Sequence, residues 1–410
     1  MTSLFQIRGI TFWVVSLFFC VEIKAQGVFT QFQTGNSAIP DNSVYAVKVG
    51  PNGDVWVGTD NGLAHFDGNN WQVFQESNSG LPSNYVRSIE LDDSGYVWVG
   101  TAINGMARYD GSVWTTFNTA NSALPDDFVR SLGAIPGGGI WAGTTGGLVK
   151  FRNGVMQAYD FLSQGSESNN VASIAAVDTN IVWLGMVNGG LIRLSDTGFV
   201  DYTIYNSSLM DNTILGLKRE NQDLWLATPA NGLIYYWNLA FIAYHPFNSA
   251  SPSASYNALD LDQAGGIWLA SQDSGLVYYD RSIWLNFNTL NSPFPQNYVR
   301  TVAYDPVQDV VWAGTHSQGL VRVQRTGALG SVGPENSVDW SFYPQPATDH
   351  IWLRKSSPEQ KEWVLMDLGG RPLDGGIWID QELEVRVGNH PAGLYILQVD
   401  QEFRKVLIRP

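Results

Sequence analysis

Val55-Trp56-Val57-Gly58-Thr59-Asp60-Asn61-Gly62-Leu63 decides the fold, because the stretch returns six times further along the chain. Its copies centre on Trp98, Trp141, Trp183, Trp225, Trp268 and Trp312, and the intervals between successive tryptophans are 42, 43, 42, 42, 43 and 44 residues. A repeat of this length, rich in β-formers and turn residues, makes one four-stranded blade, and such blades stack into a propeller. Repeat two shows the runs best: Val86 to Leu91, Tyr96 to Thr101, Met106 to Tyr109 and Val113 to Phe117. Between them stand Asp92-Asp93-Ser94-Gly95, Asn104-Gly105 and Asp110-Gly111. Asn-Gly and Asp-Gly suit tight hairpins because both central residues tolerate positive φ.

Closure follows from the two ends of the repeat array. The seventh repeat begins at Asn297 and has three strands, ending near Arg325. Val28-Phe29-Thr30-Gln31-Phe32 reads as the missing outer strand, and Asn36-Ser37-Ala38-Ile39-Pro40 is the link seen between other repeats, as in Asn78-Ser79-Gly80-Leu81-Pro82. The expectation is therefore an all-β chain with a seven-bladed propeller over residues 26–327, closed by 28–32. A ring removes the open inner edges of a sheet. The seven tryptophans, each mid-strand at one register, are read as wedges between blades.

The chain is 410 residues long, 13% aromatic and 15% charged, with a formal charge of −15. Nucleic acid is excluded as a general surface partner, and no stretch beyond the start is long and apolar enough to span a membrane. Residues 1–25 read as a signal peptide: Arg8 gives the positive start, and Ile10 to Val21 forms a short apolar run. The one cysteine, Cys20, lies inside that run, so the mature protein is expected to hold no disulfide. Residues 328–338 read as a linker. Beyond them, alternating runs at Ile351 to Arg354, Trp363 to Met366, Leu383 to Val387, Leu394 to Val399 and Lys405 to Ile408 predict a small Ig-like β-sandwich over 339–410.

Two resemblances add to this reading. The repeats, roughly Asp-x-x-Gly-x-Leu-Trp-x-Gly-Thr-x-x-Gly-Leu, resemble the two-component regulator propeller family, with Met186 and Ala227 departing from the usual Thr and Gly. In that family such rings often form sensor halves of histidine kinases, but this chain shows no kinase. The last seventy residues are similar to the C-terminal sorting domain of the type IX secretion system. The carriers are Tyr343-Pro344-x-Pro346, Gly393-Leu394-Tyr395 and the basic end around Lys405, with Gln345 in place of the usual Asn. This resemblance implies export from a Bacteroidetes-type bacterium, recognition by the secretion machinery, and a secreted or outer-membrane surface location.

Chemistry is sparse. Asp92-Asp93-Ser94-Gly95 and Asp260 to Gly265 faintly resemble acidic calcium loops but lack a full ligand set, so they are read as hairpin turns. No metal or cofactor is expected. His65 and His245 fall in strands, while His316 falls on a loop at the mouth of the ring. Streptogramin lyases share a seven-bladed ring with similar repeats and use a histidine base. Aligning the first strands of the repeats puts Tyr45, Arg87, Arg130, Ala172, Leu215, Asn257 and Arg300 at one register, at the start of the innermost strand. Arg300, Arg87 and Arg130 with Tyr45 make one arc that could hold a carboxylate or sulfate by forked hydrogen bonds, unless Asp41, Asp126 and Asp127 neutralise it. Asp60, Asn61, Asn104, Asn188, Asn231, Asp273 and His316 lie on loops of the same face. The first expectation is a non-catalytic ligand- or protein-binding module, its partner an acidic glycan or a surface protein. The alternatives are a lyase or hydrolase at the channel mouth and a structural or adhesive protein.

Overall fold

The computed structural model describes residues 27–325 and, beyond them, 340–343, 347, 349–355, 360–367, 371–391, 393–399 and 402–408. The expected signal peptide, the linker, and Pro344 and Pro346 lie outside the described residues. The protein is all-β, with seven four-stranded antiparallel sheets among residues 27–325. Their first strands are Val44–Val49, Val86–Leu91, Val129–Ala134, Val171–Ala176, Gly216–Glu220, Tyr256–Leu261 and Val299–Asp305. Each lies beside the first strand of both neighbouring blades, and the seventh lies beside the first. They therefore ring a central channel, and the blades form a closed propeller. The fourth strand of blade 7 is Gly27–Phe32, which pairs antiparallel with Leu320–Arg325.

The second strands explain why the repeat motif is so apolar. Val55–Thr59 and Val97–Thr101 are buried along their whole length, because both faces of the blade are covered by neighbours. One apolar cluster fills each of the seven gaps between blades, and each cluster takes one repeat tryptophan from the preceding blade. Trp98, for example, packs with Val129, Ile140 and Val149 of blade 3. All seven of these tryptophans are buried.

The polar letters of the repeat are hydrogen-bonding devices. Asp92 accepts from the N–H groups of Ser94 and Tyr96 with one oxygen, and from the Trp98 indole at 2.8 Å with the other. Thr59, Thr101, Thr144, Thr228 and Thr315 donate their hydroxyls to the carbonyl of the glycine that ends the following turn. That glycine is required: at Gly105 (φ 83°) a Cβ would stand 2.1 Å from the Phe117 carbonyl oxygen. Met186, which replaces threonine in blade 4, is wholly buried and keeps the turn through its backbone N–H to Gly190. In the links, Asn78 and Ser79 stitch the chain to Gln75 and Val73, and Asn121 and Ser122 repeat the stitch. His245 departs from expectation: it stands one residue past the strand Ala240–Tyr244, in a turn where its carbonyl accepts from Asn248 and Ser249.

The C-terminal part forms two sheets. One orders Trp340–Tyr343, His350–Lys355 and Glu382–Arg386; the other orders Pro372–Trp378, Lys361–Met366, Gly393–Val399 and Glu402–Ile408. Both contribute to one apolar cluster, in which Ile351, Leu353 and Val385 meet Trp363, Leu365 and Leu397. Pro372–Trp378 was not foreseen as a strand, because it is an exposed edge carrying Gly375-Gly376 and shows no alternation. Of the sorting motif, Gly393 opens a strand, Lys405 lies within one, and Tyr395 is buried with its hydroxyl on the Pro391 carbonyl at 2.6 Å.

Candidate functional site

One irregularity recurs at the mouth of the channel. The pairing of first and second strands slips between Val44 and Ala46, Val86 and Ser88, Val129 and Ser131, Val171 and Ser173, Tyr256 and Ala258, and Val299 and Thr301. The residues left out of the ladder are Tyr45, Arg87, Arg130, Ala172, Asn257 and Arg300. In blade 5 the equivalent Leu215 sits just before its strand, its N–H on the Ala227 carbonyl. A bulge takes a side chain out of the pleat and re-aims it. Here all seven co-registered residues, with Phe128 and Tyr298, line one cavity of about 330 Å³.

The lining is electrostatically one-sided. It holds three guanidinium groups and no carboxylate, with Ala172 and Leu215 on the side of blades 4 and 5. The arginines are not equivalent. Arg87 and Arg300 each place their guanidinium carbon 3.7 Å from the centroid of the Tyr45 ring. Two such groups cannot occupy one face at that distance, so the ring lies between them, a doubled cation–π contact. Arg87 also pairs with Asp60 at 2.8 Å. Arg300 donates to Nδ1 of His316, while its other terminal nitrogen, Nη1, is buried without a partner. Arg130 has no carboxylate partner among the described residues, and burial alone pulls its pKa below the ordinary arginine value. Its aromatic neighbour is Phe128, with 5.8 Å between the guanidinium carbon and the ring centroid.

The expected neutralising partners differ from those observed. Asp41 and Asp126 accept from the backbone N–H groups of Ser43 and Phe128, and Asp127 accepts from Thr119. Asp60 takes their place for one arginine only. Asn257 is not free to meet a ligand: its amide donates to the Val299 carbonyl at 2.7 Å and its oxygen accepts from Gln272. The polar loops of this face are largely committed too. Asn61, Asn104 and Asn231 donate to the carbonyls of Pro40, Pro82 and Met210 in the adjacent links, and Asp273 accepts from Ser253 at 2.6 Å.

His316 is exposed and stacks on Tyr298, with 4.9 Å between ring centroids. Partial burial lowers its pKa, the Arg300 charge adds to this, and Asp60 opposes both. Neutral imidazole can accept the Arg300 hydrogen bond through Nδ1, whereas imidazolium cannot. A histidine whose folded-state pKa is depressed binds fewer protons when folded. It therefore withdraws stability as the pH falls through its unfolded value of about 6.5. Arg300→Ala is expected to raise the His316 midpoint, as followed by the imidazole proton shifts in an NMR titration. An unchanged midpoint would remove Arg300 from the account.

Phe128 and Tyr298 were missed as lining residues. Each stands two residues before a register arginine, and an aromatic there had no separate meaning in sequence. Tyr85 stands at the same offset from Arg87 and is within cation–π reach of it, at 5.9 Å. That shared offset was the available signal.

Among the described residues no helix is long and apolar enough to cross a membrane. A search of curated proteins finds no match. Solved structures with the same fold include the extracellular domain of a hybrid two-component system, BT3049, from B. thetaiotaomicron (20% identity, TM-score 0.63, 94% of this chain and 58% of that one). PorZ, a surface component of the type-IX secretion system of Porphyromonas gingivalis, is similar at 15% identity and TM-score 0.58, over 93% of this chain and 61% of that one. The chain thus spans less than two thirds of the length of either. A streptogramin B lyase is similar at 17% identity and TM-score 0.60, over 74% of this chain and 99% of the lyase. These likenesses show the propeller fold. In sequence, residues 38–61 and 80–102 match the model of the two component regulator propeller family.

Proposed function

We propose that this protein is a non-catalytic binding module of the cell surface or secreted milieu, and that its channel mouth takes an anionic ligand, an acidic glycan. One observation carries the reading: the side chains lifted out by the bulge in six of the seven blades turn to a common cavity that holds three guanidinium groups and no carboxylate. Cation-rich concavities in an otherwise acidic protein are local exceptions that select for anions. Arg130 and Nη1 of Arg300 supply donors that no acceptor among the described residues uses. The Tyr45 sandwich supports two guanidiniums without side-chain motion, which lowers the entropic cost of binding. Export through the type IX machinery, by way of residues 339–410, rests on the sorting-domain resemblance and is supported by the likeness to PorZ.

The test is a glycan array probed with the mature chain, followed by calorimetry on the acidic and neutral members of one series. Arg130→Ala is expected to weaken binding of the acidic member at least tenfold, as removal of a charge-assisted hydrogen bond of about 1.5–3 kcal/mol requires. The neutral member should bind weakly to both proteins. Equal affinity of wild type and variant for the acidic member would reject the reading. A lyase remains the second reading, because His316 sits at the mouth of a ring similar to streptogramin B lyases. It would require His316→Ala to abolish turnover of a glycan or a streptogramin that the wild type consumes.

A further inference from the structure

Below the mouth, the channel carries a layer of paired charge. Three residues after each bulge, roughly 10 Å deeper along an extended strand, stand Lys48, Glu90, Lys218 and Asp260. The other blades have Gly133, Ala175 and Ala303 at that level. Lys48 pairs with Glu90, and Lys218 pairs with Asp260 at 2.9 Å. The second Asp260 oxygen accepts from the Tyr304 N–H at 2.9 Å. Asp260 raises the Lys218 pKa above the ordinary value against the cost of burial, and Glu90, from blade 2 on the other side of the ring, raises it further. Groups from blades 1, 2, 5 and 6 thus converge on the axis, and their charges cancel in pairs.

From this layer, and resting on the reading of the mouth as an acidic-glycan site, we infer that the cavity is a blind funnel that receives the end of an anionic chain. It does not receive an internal segment. A cavity of about 330 Å³ is at the small end for ligand pockets, which run about 300–1,000 Å³. An internal residue would need an exit for the chain on both sides, and below the mouth the charged side chains that meet from opposite sides of the ring are paired and leave no net field for an anion. The walls orient what enters. Arg300 and Arg130 stand at the two ends of the arc over blades 7, 1, 2 and 3 and offer donors to the carboxylate, while Ala172 and Leu215 of blades 4 and 5 face an apolar substituent or the less polar face of a sugar ring. The ligand class is therefore a glycan with its carboxylate on a terminal residue.

The experiment uses the mature full chain and α-1,4-linked trigalacturonate, with three mono-methyl esters that block the carboxylate of one residue each. Calorimetry is expected to show that one of the two end esters loses at least tenfold in affinity, while the middle ester changes it less than threefold. Equal losses for all three esters, or the largest loss at the middle residue, overturn end-on binding and leave the acidic-glycan reading intact. Failure of wild type to bind trigalacturonate above its neutral trigalactose counterpart removes both.

Discussion

A chain shortened to begin at Gln33 is expected to lose its cooperative unfolding transition near ambient temperature. Gly27–Phe32 supplies the only outer strand of blade 7 among the described residues, and its loss exposes the whole edge of Leu320–Arg325. The two phenylalanines belong to different inter-blade cores. Phe32 packs against Trp312, Phe66 and Trp71, between blades 7 and 1. Phe29 packs edge-on against Phe287 and Phe294, between blades 6 and 7. Truncating a buried phenylalanine costs about 3–5 kcal/mol; these two are half-buried, so about 2 kcal/mol each is a fair scale. Adding the six-residue ladder brings the loss into the range of a whole domain's stability, about 5–15 kcal/mol. Urea unfolding followed by tryptophan fluorescence reads the effect. A midpoint within error of the parent would mean that the ring closes elsewhere.

Gly100→Ala is the second substitution expected to act strongly. An added Cβ would stand 2.3 Å from Ser88 Oγ, 2.7 Å from a Val129 methyl and 2.8 Å from the Val129 carbonyl oxygen of the next blade. Two of these neighbours cannot retreat without moving the blade 2–blade 3 contact, and overpacking of this kind costs about 1–3 kcal/mol. The protein contains the remedy. In blade 6 the equivalent pair is Ala258 and Ala270, and in blade 5 it is Gly216 and Ala227. There the small partner replaces serine, so a methyl fits. Ser88→Ala combined with Gly100→Ala is therefore expected to recover at least half of the loss, a coupling that a double-mutant cycle measures. The recovery stays partial because Ser88 donates to the Val129 carbonyl. In blade 6 that bond is replaced by the Asn257 amide on Val299. Additive costs in the cycle would refute this account of the contact.

Asn257 also shows where sequence reading reached its limit. The repeat tryptophans, the turn aspartates and the Thr-x-x-Gly unit recur with such regularity that the all-β ring could be read directly, since each letter has a fixed hydrogen-bonding or packing task. The register of Tyr45, Arg87, Arg130 and Arg300 could be read as well, because the first strands align on an apolar residue at a nearly constant distance before each tryptophan. The bulge itself could not, since an extra residue shared by six of the seven copies does not stand out as an insertion when they are aligned. Nor could the division of labour among the arginines. Asp60 sits 27 residues from Arg87, and Tyr45 meets Arg300 only once the ring has closed. Asn257 looked like one more polar residue at the mouth, but it covers for a serine that blade 6 lacks, a fact written in the adjacent Ala258.

The pairing of Gly27–Phe32 with Leu320–Arg325 also sets an order of events. Gln31 reaches the Gln318 carbonyl across 287 residues of chain. In a polypeptide that emerges amino end first, the ring's first strand has no partner until the ring's last strand is made. Until then it is an unsatisfied β-edge, the kind of surface that recruits other chains, and such distant contacts form slowly. Closure of the ring is therefore also the step most exposed to crowded neighbours, and a newly made molecule profits from isolation until the two ends of its ring have met.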